Sequence, residues 1–182
     1  MNITLKRVLI GLGILVLVLA AAMFYLNSQN RKNSPAGTAE YKQNGFDIGV
    51  TYSRPSKHGR AIFGQLVPYG KIWRTGANEA TTFSTKTPLT ISGKPLPAGD
   101  YTLWTIPQAD AWTVIFNKGE YTWGINFDQT SPREPESDVL LVKVPVTKLP
   151  SGIEQFTISF EEPGPAMVFN WDMTSVRVPI GK

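Results

Sequence analysis

With 182 residues, no cysteine, a single histidine and 18% charged residues, the chain has room for one ordinary domain and a short appendage. The missing cysteines exclude a disulfide scaffold, a thiol nucleophile and a thiolate-bound metal, and His58 alone makes no multi-histidine centre, so no metal and no cofactor is expected. The formal net charge of +4 resides wholly in residues 1–32, where Lys6, Arg7, Arg31 and Lys32 meet no acid; the other 14 Lys and Arg equal the 14 Asp and Glu, which removes the main support for a nucleic-acid partner.

In chain order, a short basic tail (1–7) precedes Val8–Leu26, 19 residues without a charge. As a helix this run reaches about 28 Å, close to the ~30 Å hydrocarbon thickness of a bilayer, and predicts a transmembrane signal anchor over 8–26. The competing reading is a signal peptide cleaved near Ala22, with secretion of the remainder. Met23, Phe24, Tyr25 and Leu26 prolong the apolar run where a mature terminus would turn polar, and so favour the anchor. The flanking charges are nearly balanced. In the cleaved case, or with the amino terminus inside, residues 33–182 lie outside the cytoplasm, periplasmic or extracellular. Residues 27–45, poor in large apolar side chains and containing Pro35 and Gly37, predict a flexible linker, with the folded domain over 46–182.

From Ile48 onward the apolar period is two. Predicted strands begin with 48–52, 81–85, 89–91, 101–106 and 112–116, and continue with 139–146, 155–160, 166–171 and 175–178. Turn chemistry separates them at Ser92-Gly93-Lys94, Pro97–Asp100, Asn117–Glu120, Pro150-Ser151-Gly152 and Glu162–Pro165. The pattern predicts an all-β fold, an antiparallel sandwich or barrel of about eight to ten short strands.

Residues 52–81 break that rhythm. Arg54, Lys57, Arg60, Lys71 and Arg74 stand here with no acid between Asp47 and Glu79, and Pro55, Gly59, Gly64, Pro68, Gly70 and Gly76 forbid a long helix or strand. The run Y-S-R-P-S-K-H-G-R-A-I-F-G-Q-L-V-P-Y-G-K-I-W-R-T-G-A-N-E-A-T resembles the bacterial domain-of-unknown-function family 2911. The likeness continues through Lys94–Gly99, Tyr101–Pro107, Trp112–Lys118 and Trp123-Gly124. It implies an exported or envelope β-domain and no assigned activity. His58 stands where relatives more often carry Lys, and the uncleaved anchor departs from members that are simply secreted.

Within this segment Arg54, Arg60 and Arg74 offer planar forks suited to carboxylate, phosphate or sulfate. With Asn78 and the aromatic faces of Tyr69 and Trp73 they predict a site for a small anionic or glycan ligand. A structural alternative pairs the same cations with Glu79 or with the acids of 120–138. A catalytic alternative makes Glu79 the general base of a metal-independent hydrolase, with Arg74 stabilising the developing anion; a glycosidase would need a second carboxylate ~5–9.5 Å away. His58, between Lys57 and Gly59, reads as solvated rather than catalytic. Ser53 and Ser56 lack the surroundings of a nucleophile. Three functions follow: a membrane-tethered binding module, a hydrolase, or a purely structural envelope protein.

Overall fold

A computed structural model describes residues 3–182. The chain divides into two compact units, the helix up to Asn33 and a β-domain over Ser34–Lys182. Helix α1 (Ile3–Asn33) carries the apolar run, and its side chains from 6 to 27 are exposed. Such a length of uncovered apolar helix fits a membrane anchor or a signal sequence. Part of the basic tail expected at 1–7, Met1 and Asn2, lies outside the described residues; the rest is helical.

The linker expected over 27–45 is replaced by ordered structure. Residues 27–33 extend α1, because they contain no proline and place Arg31 and Lys32 in the last turn, where they complement the helix dipole. The helix stops before Pro35, whose ring disfavours helical backbone at the preceding residue. Strand β1 (Ala36–Tyr41) then begins the domain ten residues earlier than expected, with Ala39 and Tyr41 turned inward.

The strands that follow are β2 (Ile48–Ser53), β3 (Thr81–Thr85), β4 (Leu89–Ile91), β5 (Lys94–Leu96), β6 (Gly99–Ile106), β7 (Ala111–Asn117), β8 (Asp138–Glu161) and β9 (Ala166–Gly181). All pairings are antiparallel, in the order β1-β2-β3-β6-β7-β8-β9-β4-β5. Four of the short strands expected near the C-terminus are fused into two long ones. Pro150-Ser151-Gly152, expected as a turn, is instead absorbed where the β8–β9 register slips between Lys148 and Thr157. β8 pairs with β7 as far as Pro145 and with β9 from Val146 onward, so one strand serves both halves of the sheet. Inward side chains from every strand form one apolar cluster, with Trp112, Trp171, Phe83, Phe116, Phe156 and Phe169 among its largest fully buried members. Burying one aromatic side chain in such a cluster stabilises the fold by roughly 2–3 kcal/mol.

Candidate functional site

Between β2 and β3 the chain runs for 27 residues without a strand of its own, and three dockings shape it. First, residues 54–58 lie along the slipped part of β8. Lys57 N–H donates to the Glu154 carbonyl (2.7 Å), His58 N–H to Glu154 Oε1 (2.8 Å), and Phe156 N–H to the Pro55 carbonyl (2.9 Å). Second, Ile62 and Val67 bury themselves in the core, while Leu66 and Tyr69 stay exposed. Third, Trp73 pairs with Thr105, exchanging N–H···O bonds of 2.7 and 2.9 Å. β3 starts at Thr81, opposite Leu103, so the edge of β6 at Thr105 is open and Trp73 takes it.

This pairing decides which side each neighbour faces. Trp73 points inward and is only 8% exposed, stacked on Trp171 at 6.0 Å and edge-on to Trp112 and Phe156. Its indole N–H donates to the Gly76 carbonyl (2.9 Å). Trp73 is therefore a core residue rather than the ligand platform expected of it. Trp104, Trp112 and Trp171 are buried as well, and the exposed indole is Trp123, at 37%.

Arg74 points to the opposite, outer side. There a second, small apolar cluster of Ala80, Trp104 and Ile115 is flanked by Ile72, Ile106 and Tyr121. The loop after β7 covers this side. Asn117, fully buried, organises that loop: its side-chain amide donates to the Glu134 carbonyl and to Asp138 Oδ1 (both 2.8 Å), and its Oδ1 accepts from Gly119 N–H (2.7 Å). Farther along, Gly124 N–H donates to the Asn78 carbonyl (3.0 Å). A Cβ at Gly124 would lie 2.2 Å from Arg74 Cδ, so only glycine lets the loop close over the arginine's stem.

Arg74 is half-buried and forms no ion pair among the described residues; its Nε is sealed from solvent with no acceptor. Burial alone pulls the guanidinium below the ordinary arginine value, with no carboxylate acting against it. An unsatisfied buried donor of this kind costs about 1–3 kcal/mol, more when charged. Next to it, β-branched Thr75 is held at φ +55°, a conformation that costs on the order of 1–3 kcal/mol and persists only where the surroundings impose it. The surroundings here are its hydroxyl, donating to Thr105 Oγ1 (3.1 Å), and its carbonyl, accepting from Thr81 Oγ1 (2.8 Å).

The other expected site residues are distributed as follows. Asn78, buried and at φ +56°, ties the domain's first residue to the loop: its side-chain amide donates to the Ser34 carbonyl (3.3 Å). Glu79 accepts from the Ser53 hydroxyl (3.4 Å). Arg54 Nη2 donates to Thr157 Oγ1 (3.2 Å) on β8, and its stem covers Gly37. Arg60, exposed, donates to the carbonyls of Lys57 (3.0 Å) and Ser56 (2.7 Å) and so caps its own turn. The three guanidinium groups thus enter three separate neighbourhoods. What the structure brings together is Arg74, Asn78 and Gly124. The acids of 120–138 do not neutralise the cations of 54–74: Arg133 pairs with Asp138, Asp128 takes the Thr130 hydroxyl and N–H, and Lys57 pairs with Asp172 on β9. Among the described residues no group of three or more His, Asp or Glu is placed to hold a metal.

Beyond Gly124 the loop opens into a groove of about 540 Å³ lined by Glu120, Tyr121, Trp123, Ile125, Phe127 and Pro132, with Phe127 fully exposed. Sequence reasoning missed Gly124, Phe127 and the role of Asn117. The advance signals were the Trp123-Gly124 pair and the Trp112–Lys118 stretch within the family-like pattern, with Asn117 opening a turn.

The family model described as Protein of unknown function (DUF2911) matches residues 34–180, a span that opens at the domain's first residue and closes within β9. No curated protein and no solved structure matches the chain.

Proposed function

We propose, for a chain that belongs to the DUF2911 family of proteins of unknown function, that it is a membrane-tethered binding module outside the cytoplasm which recognises a small anionic group through Arg74. The carrying observation is the Arg74 guanidinium, half-buried, without a carboxylate, and with an Nε that no protein acceptor satisfies. Nearly every buried polar group in a folded protein has a partner, and a bound anion supplies one. Strain at Thr75 points the same way, since such conformations cluster where a ligand is held. The binding reading is preferred to hydrolysis through Glu79 because Arg74 makes no ion pair with that carboxylate. It is preferred to a purely structural role because Arg74, unlike Arg54, whose Nη2 reaches Thr157 Oγ1, gives no side-chain hydrogen bond among the described residues. The envelope location in this reading rests on taking α1 as an anchor with its amino terminus inside, which the uncharged run Val8–Leu26 supports.

The test is thermal unfolding of the full chain in maltoside micelles against phosphate, sulfate and small carboxylates, for the native protein and Arg74→Met. An anion held at about ten times its Kd raises Tm by about 3 °C in the native protein and not in the variant. Equal shifts in both, or none in either, overturn the reading.

A further inference from the structure

The loop that covers Arg74 also carries aromatic side chains outward, and their chemistry narrows what presents the anion. Trp123 and Ile125, on either side of Gly124, line the groove, so the strip that packs on Arg74 is also its wall. At its rim Trp123 is 37% exposed and Phe127 is fully exposed. Exposing large aromatics in a soluble milieu is unfavourable, whereas at a bilayer's headgroup level an indole and a phenyl ring find the mixed polar and apolar surroundings they prefer. The groove wall also holds Glu120, an acid, while the basic residue beside it is Arg74, whose side-chain stem packs against Gly124 between the lining residues Trp123 and Ile125.

The course of the chain makes the same connection. Asn78 bonds Ser34 through its side chain and Gly124 through its backbone, so the aromatic loop is one residue removed from the domain's first residue. Ser34 directly follows α1, and the apolar run of that helix ends at Leu26. Seven residues of α1, 27–33, therefore lie in sequence between the run's end and Ser34.

Resting on the reading of Arg74 as an anion site, we propose that the anion is the phosphate of a zwitterionic phospholipid headgroup in the anchoring bilayer. In this arrangement Arg74 takes the phosphate, Glu120 faces the headgroup cation, and Trp123 and Phe127 sit in the interfacial layer. Because the charged residue in the groove lining is the acid Glu120, anionic lipids are disfavoured and docking is insensitive to salt, unlike that of a polybasic surface.

Two experiments on the full chain decide it. In nanodiscs of phosphatidylcholine with brominated acyl chains, which quench nearby indoles, the native protein loses about a fifth of its emission, the share of one of its five tryptophans, and Trp123→Phe shows no such loss. Equal quenching of both, or none, overturns bilayer docking. In maltoside micelles, dihexanoyl-phosphatidylcholine raises the Tm of the native protein by about 3 °C and leaves Arg74→Met unmoved. If inorganic phosphate stabilises the native protein through Arg74 but the short-chain lipid does not, the lipid assignment falls and the anion site stands. If neither acts through Arg74, both fall.

Discussion

On the inner side of β6 and β7, Leu103, Trp112, Val114 and Phe116 meet aromatic and aliphatic side chains from β8 and β9 and become fully buried. On the outer side of the same two strands, Trp104 and Ile115 have, among the described residues, Ala80 as their one buried apolar companion, and a loop rather than a sheet lies over them. Trp73 and Arg74, adjacent in sequence, fall one on each side. The inner side is built by apolar contact, and the one polar side-chain atom of Trp73, its indole N–H, is satisfied by the Gly76 carbonyl. The outer side keeps a cation whose protein contacts do not satisfy it. The lesson is that the same connection between β2 and β3 supplies stability through one residue and a candidate site through the next.

The largest effect expected is on the inner side. Trp73→Ala leaves a void between Trp112, Trp171 and Phe156, costs about 3–5 kcal/mol, and lowers Tm by about 10 °C in a thermal melt. A shift below a few degrees would break the contrast between the two sides. Gly76→Ala comes next. Its new Cβ would lie 2.8 Å from the Ser53 carbonyl oxygen, a backbone atom that cannot swing aside, and urea titration should report a loss of about 1–3 kcal/mol.

Gly124→Ala sharpens the comparison, because the atom its Cβ meets belongs to the flexible Arg74 stem. Stability should fall by only about 1 kcal/mol, since a side chain can move where backbone cannot. The anion-dependent rise in Tm should nevertheless disappear, separating ligand response from fold. Smallest is the alkaline limb. Burial, with a lesser contribution from Asp100, pushes the Tyr101 phenol above its ordinary value while its O–H donates to the Pro97 carbonyl (2.8 Å). The unfolded chain therefore releases that proton first as pH rises. Tyr101 contributes stability in full below about pH 10 and loses it above, a decline that Tyr101→Phe should flatten in melts at increasing pH.

The strands were legible wherever alternation was dense, as at Ile48, Val50 and Tyr52, because a period of two with β-branched and aromatic residues has few other outcomes. β1 was not, since Ala39 and Tyr41 alone mark its inner face and its partner is known only once β2 is placed. Pro150 and Gly152 imitate a turn, and only the pairing with β9 reveals a slip in register. Of the candidate site, Arg74 and Asn78 are singled out by residue type and setting, and the structure brings both to Gly124. Trp73 was misplaced because its side of the sheet depends on the open edge of β6 at Thr105, 32 residues away in sequence. The cover over Arg74 comes from Gly124, farther still, and no local pattern announces it.

The shared strand β8 has a mechanical corollary. Its first eight residues pair with β7 and its later ones, outside the slipped stretch between Lys148 and Thr157, with β9, without a break in the backbone between them. Neither half of the domain can be peeled away while the other stays intact, because the seam between them is a covalent chain rather than a loop that could slacken. Force applied to one half is passed straight to the other, and amide exchange should find the two halves opening together.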